Sequence, residues 1–190
     1  MTAAGTQLRP AVFLDRDGVV NRPIVVDGKP HSPATVDDLV LLPMVAEACE
    51  TLRLAGLRLV VVTNQPEVAR GRLAPETLEA MHETLRRRLA VDAVLTCPHD
   101  DGDGCDCRKP APGLLLRAAR RWHLEMSLSV MVGDRWRDVE AGRAAGCATV
   151  WVRHRYRERM PASPDLSVGS LFDAVPWILK HAGCDRGVMT

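Results

Sequence analysis

The chain has 190 residues, enough for one domain with a proper core. Lys and Arg number 25 against 24 Asp and Glu, so the overall charge favours neither nucleic acid nor a membrane surface as a partner. The longest apolar runs, near residues 59–62, are far too short to cross a bilayer, and residues 1–10 are mixed and polar. We expect a soluble, cytoplasmic protein that binds neither nucleic acid nor membrane, and we expect a monomer.

The first predicted strand covers residues 11–15, where a short apolar run ends in two carboxylates, Asp15 and Asp17, followed by Gly18. Ligands of open parallel sheets bind beyond the carboxyl ends of such strands. Two carboxylates at that place are costly unless they bind a cation or take part in chemistry. An Asp-rich turn that needs glycine for its backbone explains these residues equally well, so later motifs must decide.

Strands and helices alternate along the rest of the chain. Hydrophobic patterning predicts strands at residues 57–62, 91–96, 129–132, 148–152 and 166–168, and helices at residues 44–55, 75–89, 112–122, 136–145 and 170–183. The proline-rich residues 22–43 predict a long ordered loop with a short extended piece at residues 39–42. The arginine-rich residues 153–159 predict a solvated loop or, as an alternative, a second phosphate contact. This alternation indicates an α/β fold with a doubly wound, mainly parallel sheet and right-handed crossovers.

Polar residues at the predicted strand ends, and at the start of the third helix, are expected to share one crevice. They are Asp15, Asp17, Thr63, Asn64, Arg108, Lys109 and Asp134. Three carboxylates, a hydroxyl and a lysine predict a site for Mg²⁺ and a phosphoryl group, since Mg²⁺ prefers hard oxygen ligands and the lysine and hydroxyl offset phosphoryl charge. A carboxylate can also act as the nucleophile and form an aspartyl-phosphate.

Three of the six cysteines crowd into residues 97–107, in the pattern C-x-H-x₅-C-x-C. Three thiolates and one imidazole predict a closed tetrahedral Zn²⁺ site. The predicted ligands are Cys97, His99, Cys105 and Cys107. Because no coordination position stays open, we expect the zinc to be structural and to order the loop that delivers Arg108 and Lys109.

Four motifs together resemble those of haloacid dehalogenase-superfamily phosphatases. In chain order they are D-R-D-G at residues 15–18, T-N-Q at 63–65, R-K-P at 108–110 and G-D-R-W-R-D at 133–138. The resemblance covers about residues 10–180. It implies a Rossmann-like fold that forms a single domain over residues 1–190, with a Mg²⁺-dependent phosphatase reaction through an aspartyl-phosphate.

The resemblance also implies a role for each matched residue. Asp15 would be the nucleophile, and Asp17 would be the general acid and then the base for the attacking water. Thr63 and Lys109 would stabilise the transferring phosphoryl group, and Mg²⁺ would be held by Asp15, the Asp17 backbone carbonyl and Asp134. Substrate contacts would come from Asp15, Arg16, Asp17, Thr63, Asn64, Arg108, Lys109 and Arg135. Asp138 is interpreted either as a support for these ligands or as a helix N-terminal acid.

No room remains for a separate cap domain. The intervals from Asp15 to Thr63 and from Thr63 to Lys109 are each filled by their own helix and strand. Loops must therefore shape access to the site, which suits a small soluble substrate held by its own hydroxyls or by residues 22–33.

The cysteine loop narrows the resemblance to a zinc-containing group, which includes D-glycero-D-manno-heptose 1,7-bisphosphate 7-phosphatases and histidinol-phosphate phosphatases. The tail Ala69-Arg70-Gly71 after the second motif is similar to that of the heptose enzymes. This implies a phosphorylated sugar that loses its C7 phosphate, with Arg108 and Arg135 on the phosphate that remains. Histidinol phosphate or another small phosphomonoester is the alternative substrate.

Overall fold

Six parallel strands form the central sheet of the computed structural model, which describes residues 8–184. In chain order the strands are β1 (Ala11–Leu14), β2 (Ile24–Val26), β3 (Lys29–His31), β4 (Arg58–Asn64), β5 (Ala93–Cys97), β6 (Val130–Gly133), β7 (Ala148–Val152) and β8 (Leu166–Val168). The sheet has the order β5-β4-β1-β6-β7-β8, and all its neighbouring strands are parallel. The predicted parallel sheet is thus confirmed.

Helices cover both faces of this sheet. They are α1 (Val45–Leu54), α2 (Pro66–Ala69), α3 (Pro75–Leu89), α4 (Gly113–Trp122), α5 (Trp136–Ala144) and α6 (Leu171–His181). Residues of α1, α3 and α6 pack into one core cluster, and residues of α4 and α5 pack into a second cluster on the opposite face. The sheet is therefore doubly wound, as the alternation of elements predicted.

Strand β1 lies at the centre because its side chains are apolar on both faces. Val12 and Leu14 belong to the first core cluster, and Ala11 and Phe13 belong to the second. A strand buried on both sides reads as a continuous apolar run, which is typical of parallel sheets. Since β1 pairs with β4 on one side and β6 on the other, the strand order reverses there, and the crevice of a doubly wound sheet opens at the carboxyl end of β1.

The predicted loop over residues 22–43 contains a β-hairpin that the sequence reading missed. Strands β2 and β3 pair antiparallel around Asp27 and Gly28, whose φ values are 50° and 76°. Two positive φ values define the tight turn for which Asp-Gly is a preferred pair. All three residues of β2 are exposed, so no alternation of apolar and polar residues marked this strand. The extended piece predicted at residues 39–42 is a single bridge between Asn21 and Leu41.

Elsewhere the observed boundaries of strands and helices differ from the predicted ones by a few residues. Strand β4 runs on through Thr63 and Asn64, which were predicted to follow it, and the short helix α2 comes directly afterwards. The end segments 1–7 and 185–190 of the predicted single domain lie outside the described residues. Within residues 8–184, no helix combines the length and apolar character needed to span a bilayer.

Candidate active site

A buried lysine, Lys109, lies at the centre of the crevice and is only 2% exposed. Its ammonium donates to Asp15 Oδ1 at 2.6 Å and to the Val62 carbonyl at 2.8 Å, and it lies 2.6 Å from Asp138 Oδ1. Burial alone would lower the pKa of Lys109, but the carboxylates of Asp138 and Asp15 outweigh burial and raise it. Lys109 is therefore charged, and it links the end of β1 to β4 and to α5.

Three buried carboxylates, Asp15, Asp134 and Asp138, bring oxygens within 4.8 Å of one another. Burial raises the pKa of Asp15 to about 6 and raises the pKa of Asp134 well above 3.8. Asp134 Oδ1 is buried and has no hydrogen-bond partner within residues 8–184. One ammonium cannot balance three carboxylates, and a hard divalent cation would supply both the missing charge and a partner for the orphan oxygen. These residues therefore fit such a cation.

Asp138 combines the two interpretations that its position in the sequence left open. Its Oδ1 pairs with Lys109, and its Oδ2 accepts a hydrogen bond from the backbone N–H of Arg135 at 3.0 Å. Asp138 therefore caps the start of α5 and also holds the lysine in place. Both of its oxygens are engaged, which leaves Asp15 and Asp134 as the carboxylates available to a cation.

Asp17 is held by four side chains. It accepts hydrogen bonds from Arg16, Asn21, Ser32 and Gln65, at distances between 2.7 and 3.1 Å. Burial alone would raise the pKa of Asp17, but the Arg16 guanidinium and the other donors outweigh burial and lower it below 3.8. The carboxylate is therefore ionised and fixed in direction.

Arg16 is a predicted substrate contact, but its side chain does not line the cavity. Its side chain is fully buried, donates to both oxygens of Asp17 and reaches Met81 Sδ at 3.9 Å. Because the Arg16 guanidinium is buried and donates to Asp17, it is not available to a molecule in the cavity. The structure therefore places the Arg16 guanidinium as a support for Asp17.

Two residues of the T-N-Q motif connect the segments that form the site. Gln65 Nε2 donates to Thr63 Oγ1 at 2.8 Å and to Asp17 Oδ2 at 3.0 Å, so it links the second motif to the first. Asn64 donates to the Lys109 carbonyl at 3.0 Å and accepts from the Lys109 N–H at 3.1 Å. Asn64 lines the cavity, but its amide is occupied in fixing the backbone of Lys109.

A cavity of about 370 Å³ opens above these residues. Its floor contains Asp15, Asp17, Thr63 and Lys109. One wall contains Lys29 and His31 of the β2–β3 hairpin and Ser32, which follows the hairpin. Its rim contains Arg70, Arg108, Arg135 and Arg137. Arg108 and Arg137 share the carboxylate of Asp101, each at 2.8 Å, and Arg135 pairs with Glu158. The lining also includes the acids Glu67, Asp101 and Glu158, so the four arginines outnumber the acids around them, and we call this part the cationic rim. No separate cap domain covers the cavity within the described residues.

The cysteine loop brings four soft ligands together, as the spacing predicted. Cys107 Sγ lies 3.2 Å from Cys97 Sγ, 3.5 Å from Cys105 Sγ and 3.3 Å from His99 Nδ1, and Cys97 Sγ lies 3.6 Å from Cys105 Sγ. Ligands about 2.3 Å from a tetrahedral zinc would lie roughly 3.8 Å apart, so the cluster has close to the required size. These four residues could hold a zinc ion.

Several residues that contact the site come from distant segments and were not predicted from the sequence. Residues 153–159 do not form a free solvated loop, because Tyr156 donates to Asp134 Oδ2 at 2.7 Å and His154 Nε2 meets the Gly18 carbonyl at 2.8 Å. Ser32 reaches Asp17 from the end of the hairpin. No motif marked these positions, although Tyr156 is the one tyrosine in the chain.

The doubly wound sheet and the crevice in which Lys109 contacts the carboxylates define the class of protein. The chain belongs to the haloacid dehalogenase-like hydrolases, whose family model matches residues 22–146. That segment includes Thr63, Lys109 and Asp134 and begins just after Asp15 and Asp17.

Two relatives of the chain have the same name. The chain is 42% identical over 142 residues to a D-glycero-beta-D-manno-heptose-1,7-bisphosphate 7-phosphatase of Bordetella bronchiseptica. This alignment covers 72% of this chain and 76% of the relative. The chain is 35% identical over 183 residues to the enzyme of the same name from Escherichia coli K12, covering 90% and 88%. The crystal structure of D,D-heptose 1,7-bisphosphate phosphatase from B. bronchiseptica, complexed with magnesium and phosphate, superposes with a TM-score of 0.79 at 34% identity, covering 91% of this chain and 99% of that one.

Proposed function

We propose that this chain is a Mg²⁺-dependent phosphatase that removes the C7 phosphate of D-glycero-D-manno-heptose 1,7-bisphosphate and leaves the 1-phosphate. The observation that carries this proposal is the contact of Asp15 with the charged Lys109 on the floor of a cavity with a cationic rim. The two relatives at 42% and 35% identity, both named for this reaction, support the choice of substrate.

Asp15 is the proposed nucleophile. A carboxylate oxygen of Asp15 attacks phosphorus, the bond from phosphorus to the sugar O7 breaks, and an aspartyl-phosphate forms. The Lys109 ammonium lies 2.6 Å from Asp15 Oδ1 and can therefore offset the charge that develops on the phosphoryl oxygens. The Thr63 hydroxyl, on the same floor, is proposed to donate to the same group.

Asp17 is the proposed proton carrier. In its protonated form it gives a proton to the leaving O7, and as a carboxylate it takes a proton from the water that attacks the aspartyl-phosphate. Its four hydrogen-bonding neighbours hold it in the ionised form in which it acts as a base. The two steps balance, because Asp17 gives one proton to O7 in the first step and takes one proton from the attacking water in the second.

The two metals have separate proposed sites. Mg²⁺ would be held by Asp15, the Asp17 backbone carbonyl and Asp134, and when bound it would neutralise charge on the phosphoryl group. Zn²⁺ would be held by the cluster of three cysteines and His99. The zinc would be structural, because four protein ligands leave no open coordination position.

The cationic rim supports a substrate with a second phosphate. Arg108 and Arg135 line the cavity beside Arg137, and their partners Asp101 and Glu158 hold the guanidinium groups in place. A guanidinium group has five N–H donors, which is more than one carboxylate engages, so these arginines can also donate to a phosphate. A phosphomonoester with one anionic end would leave this rim without a ligand, so the rim favours a bisphosphate over histidinol phosphate.

A substrate panel tests the proposal. Purified protein with Mg²⁺ is given the α and β anomers of the heptose 1,7-bisphosphate and histidinol phosphate, and the released phosphate and the remaining ester are followed by ³¹P NMR. We expect one heptose anomer to have the highest kcat/KM and to yield the 1-phosphate. Faster turnover of histidinol phosphate, or release of the C1 phosphate, would contradict the substrate assignment. Asp15→Asn is the inactive control.

A further inference from the structure

We infer that Tyr156 is a positioning residue for cation binding, and that together with His154 it fixes which oxygen of Asp134 faces the metal. This inference rests on the proposed function, in which Asp134 is a Mg²⁺ ligand. It concerns the arginine-rich segment after β7, for which the four motifs provide no role. We call His154 and Tyr156 the aromatic brace.

The two oxygens of Asp134 have different surroundings. Oδ2 accepts the Tyr156 hydroxyl at 2.7 Å, whereas Oδ1 is buried without a hydrogen-bond partner in the described part of the chain. The backbone of Asp134 is held as well, since its carbonyl accepts the Trp151 indole N–H at 3.0 Å. One oxygen is therefore occupied by a donor, and the other remains free for a cation.

His154 connects the same brace to the first motif. Its Nε2 donates to the Gly18 carbonyl at 2.8 Å, and its ring stacks on Tyr156 with 5.2 Å between centroids and 15° between planes. Gly18 has a φ of +98°, and a Cβ there would lie 1.9 Å from Asp134 Oδ2 and 3.0 Å from the Tyr156 hydroxyl. The loops that carry Asp17 and Asp134 thus meet at one glycine, and the brace holds both.

This arrangement has a direct consequence for a bound cation. A hydrogen bond to Oδ2 disfavours bidentate coordination by Asp134 and presents Oδ1 alone, which suits an ion that takes one oxygen from each carboxylate. Groups that orient metal ligands in this way typically contribute ten- to a hundred-fold in metal affinity. Loss of the Tyr156 hydroxyl should therefore weaken Mg²⁺ binding while the ring still packs on His154.

The test measures Mg²⁺ binding directly. Zinc-loaded wild-type protein, Tyr156→Phe, Asp134→Asn and Arg155→Lys are dialysed free of Mg²⁺, titrated with Mg²⁺ by calorimetry, and melted over a Mg²⁺ series. Arg155 is an exposed neighbour in the same segment, so its conservative exchange is the matched control. We expect Tyr156→Phe to raise the Mg²⁺ Kd about ten-fold, with its Tm in the absence of Mg²⁺ close to that of wild type.

The results distinguish a failure of the inference from a failure of the proposed function. If wild type binds Mg²⁺, Asp134→Asn does not, and Tyr156→Phe binds as tightly as Arg155→Lys, the inference is wrong and the proposed function stands. If wild type binds no Mg²⁺, both are overturned. Should Tyr156→Phe fold poorly, His154→Phe keeps a ring beside Tyr156 but loses the donor to Gly18, and an unchanged Kd in that variant would also contradict the brace.

Discussion

Replacing Lys109 with methionine removes the positive charge from the centre of the site while keeping a side chain of similar length. The ammonium has three acceptors at 2.6 to 2.8 Å, two of which are the carboxylates of Asp15 and Asp138. Lys109→Met leaves both carboxylates buried and without their counter-charge. We expect losses of stability and of activity that can be measured separately.

The loss of stability follows from burial. Removing one partner of a buried ion pair costs about 3–5 kcal/mol, because the remaining charge is stranded. For a chain of about 150–250 residues, 1 kcal/mol corresponds to roughly 2–4 °C in Tm, so Lys109→Met should lower Tm by roughly 6–20 °C. Lys180→Met is the matched control, since Lys180 is exposed on α6, and its Tm should change little.

The loss of activity is measured well below both melting temperatures. Removal of one preorganised donor to a developing anion typically costs about 10²–10³ in kcat. Phosphate release from the heptose bisphosphate should therefore fall by at least that factor in Lys109→Met. A kcat within ten-fold of wild type, or a Tm no lower than that of Lys180→Met, would refute the reasoning.

The remaining predictions concern the proton carrier, the zinc loop and a buried histidine. Asp17→Asn should lower kcat at least about 10²-fold, measured as phosphate release, because the amide cannot carry a proton. Cys107→Ser should lower zinc content and kcat together, as metal analysis and phosphate release will show, with added Mg²⁺ restoring neither, because Lys109 lies just beyond this ligand. Burial and the nearby Arg16 lower the pKa of His82 to about 4. Between about pH 6.5 and pH 4, His82 is therefore protonated in the unfolded chain but neutral in the folded chain. Stability should therefore fall by about 2 kcal/mol from pH 7 to pH 5 through this group, and urea unfolding of His82→Leu should show a correspondingly smaller fall.

Each of these changes has a control in the same chain. Asp37→Asn alters an exposed acid and should leave kcat unchanged. Cys49→Ser alters a buried cysteine outside the zinc loop and should leave zinc content at about one ion per chain. His123→Asn alters an exposed histidine and should keep the pH dependence of wild type. Full activity in zinc-free protein, or equal pH dependence in His82→Leu and wild type, would contradict the corresponding prediction.

Local patterns were sufficient for the framework of the fold. The apolar run at β1 ends at Asp15 because a strand buried on both faces must be apolar throughout, and the boundaries of α3 follow from Pro75 and the periodic leucines. The spacing of Cys97, His99, Cys105 and Cys107 predicted their convergence because a short loop limits how far its own ligands can separate. In each case the physical cause lies within a few residues of the element.

Contacts between distant segments depended on the tertiary structure. Asn64 was predicted at a strand end, but only the approach of the loop after the cysteines shows that its amide clamps the backbone of Lys109. Gln65 links Thr63 to Asp17, and the buried guanidinium of Arg16 supports Asp17 from below. Parallel strands are joined by crossovers, so neighbours in the sheet are far apart in the chain and no local period records which side chains meet.

By itself, the sequence determined the order of the six sheet strands and of the five longer helices, the parallel sheet and the residue types at its carboxyl edge, since hydrophobic periodicity and motif spacing depend on short-range geometry. Only the tertiary structure decided that the β2–β3 hairpin walls the cavity, that Ser32 reaches Asp17, and that Tyr156 occupies one oxygen of Asp134. These contacts join segments whose exposed or polar residues carry no apolar pattern. Their positions result from packing the helices on both faces of the sheet, which brings loop ends from different crossovers to one crevice.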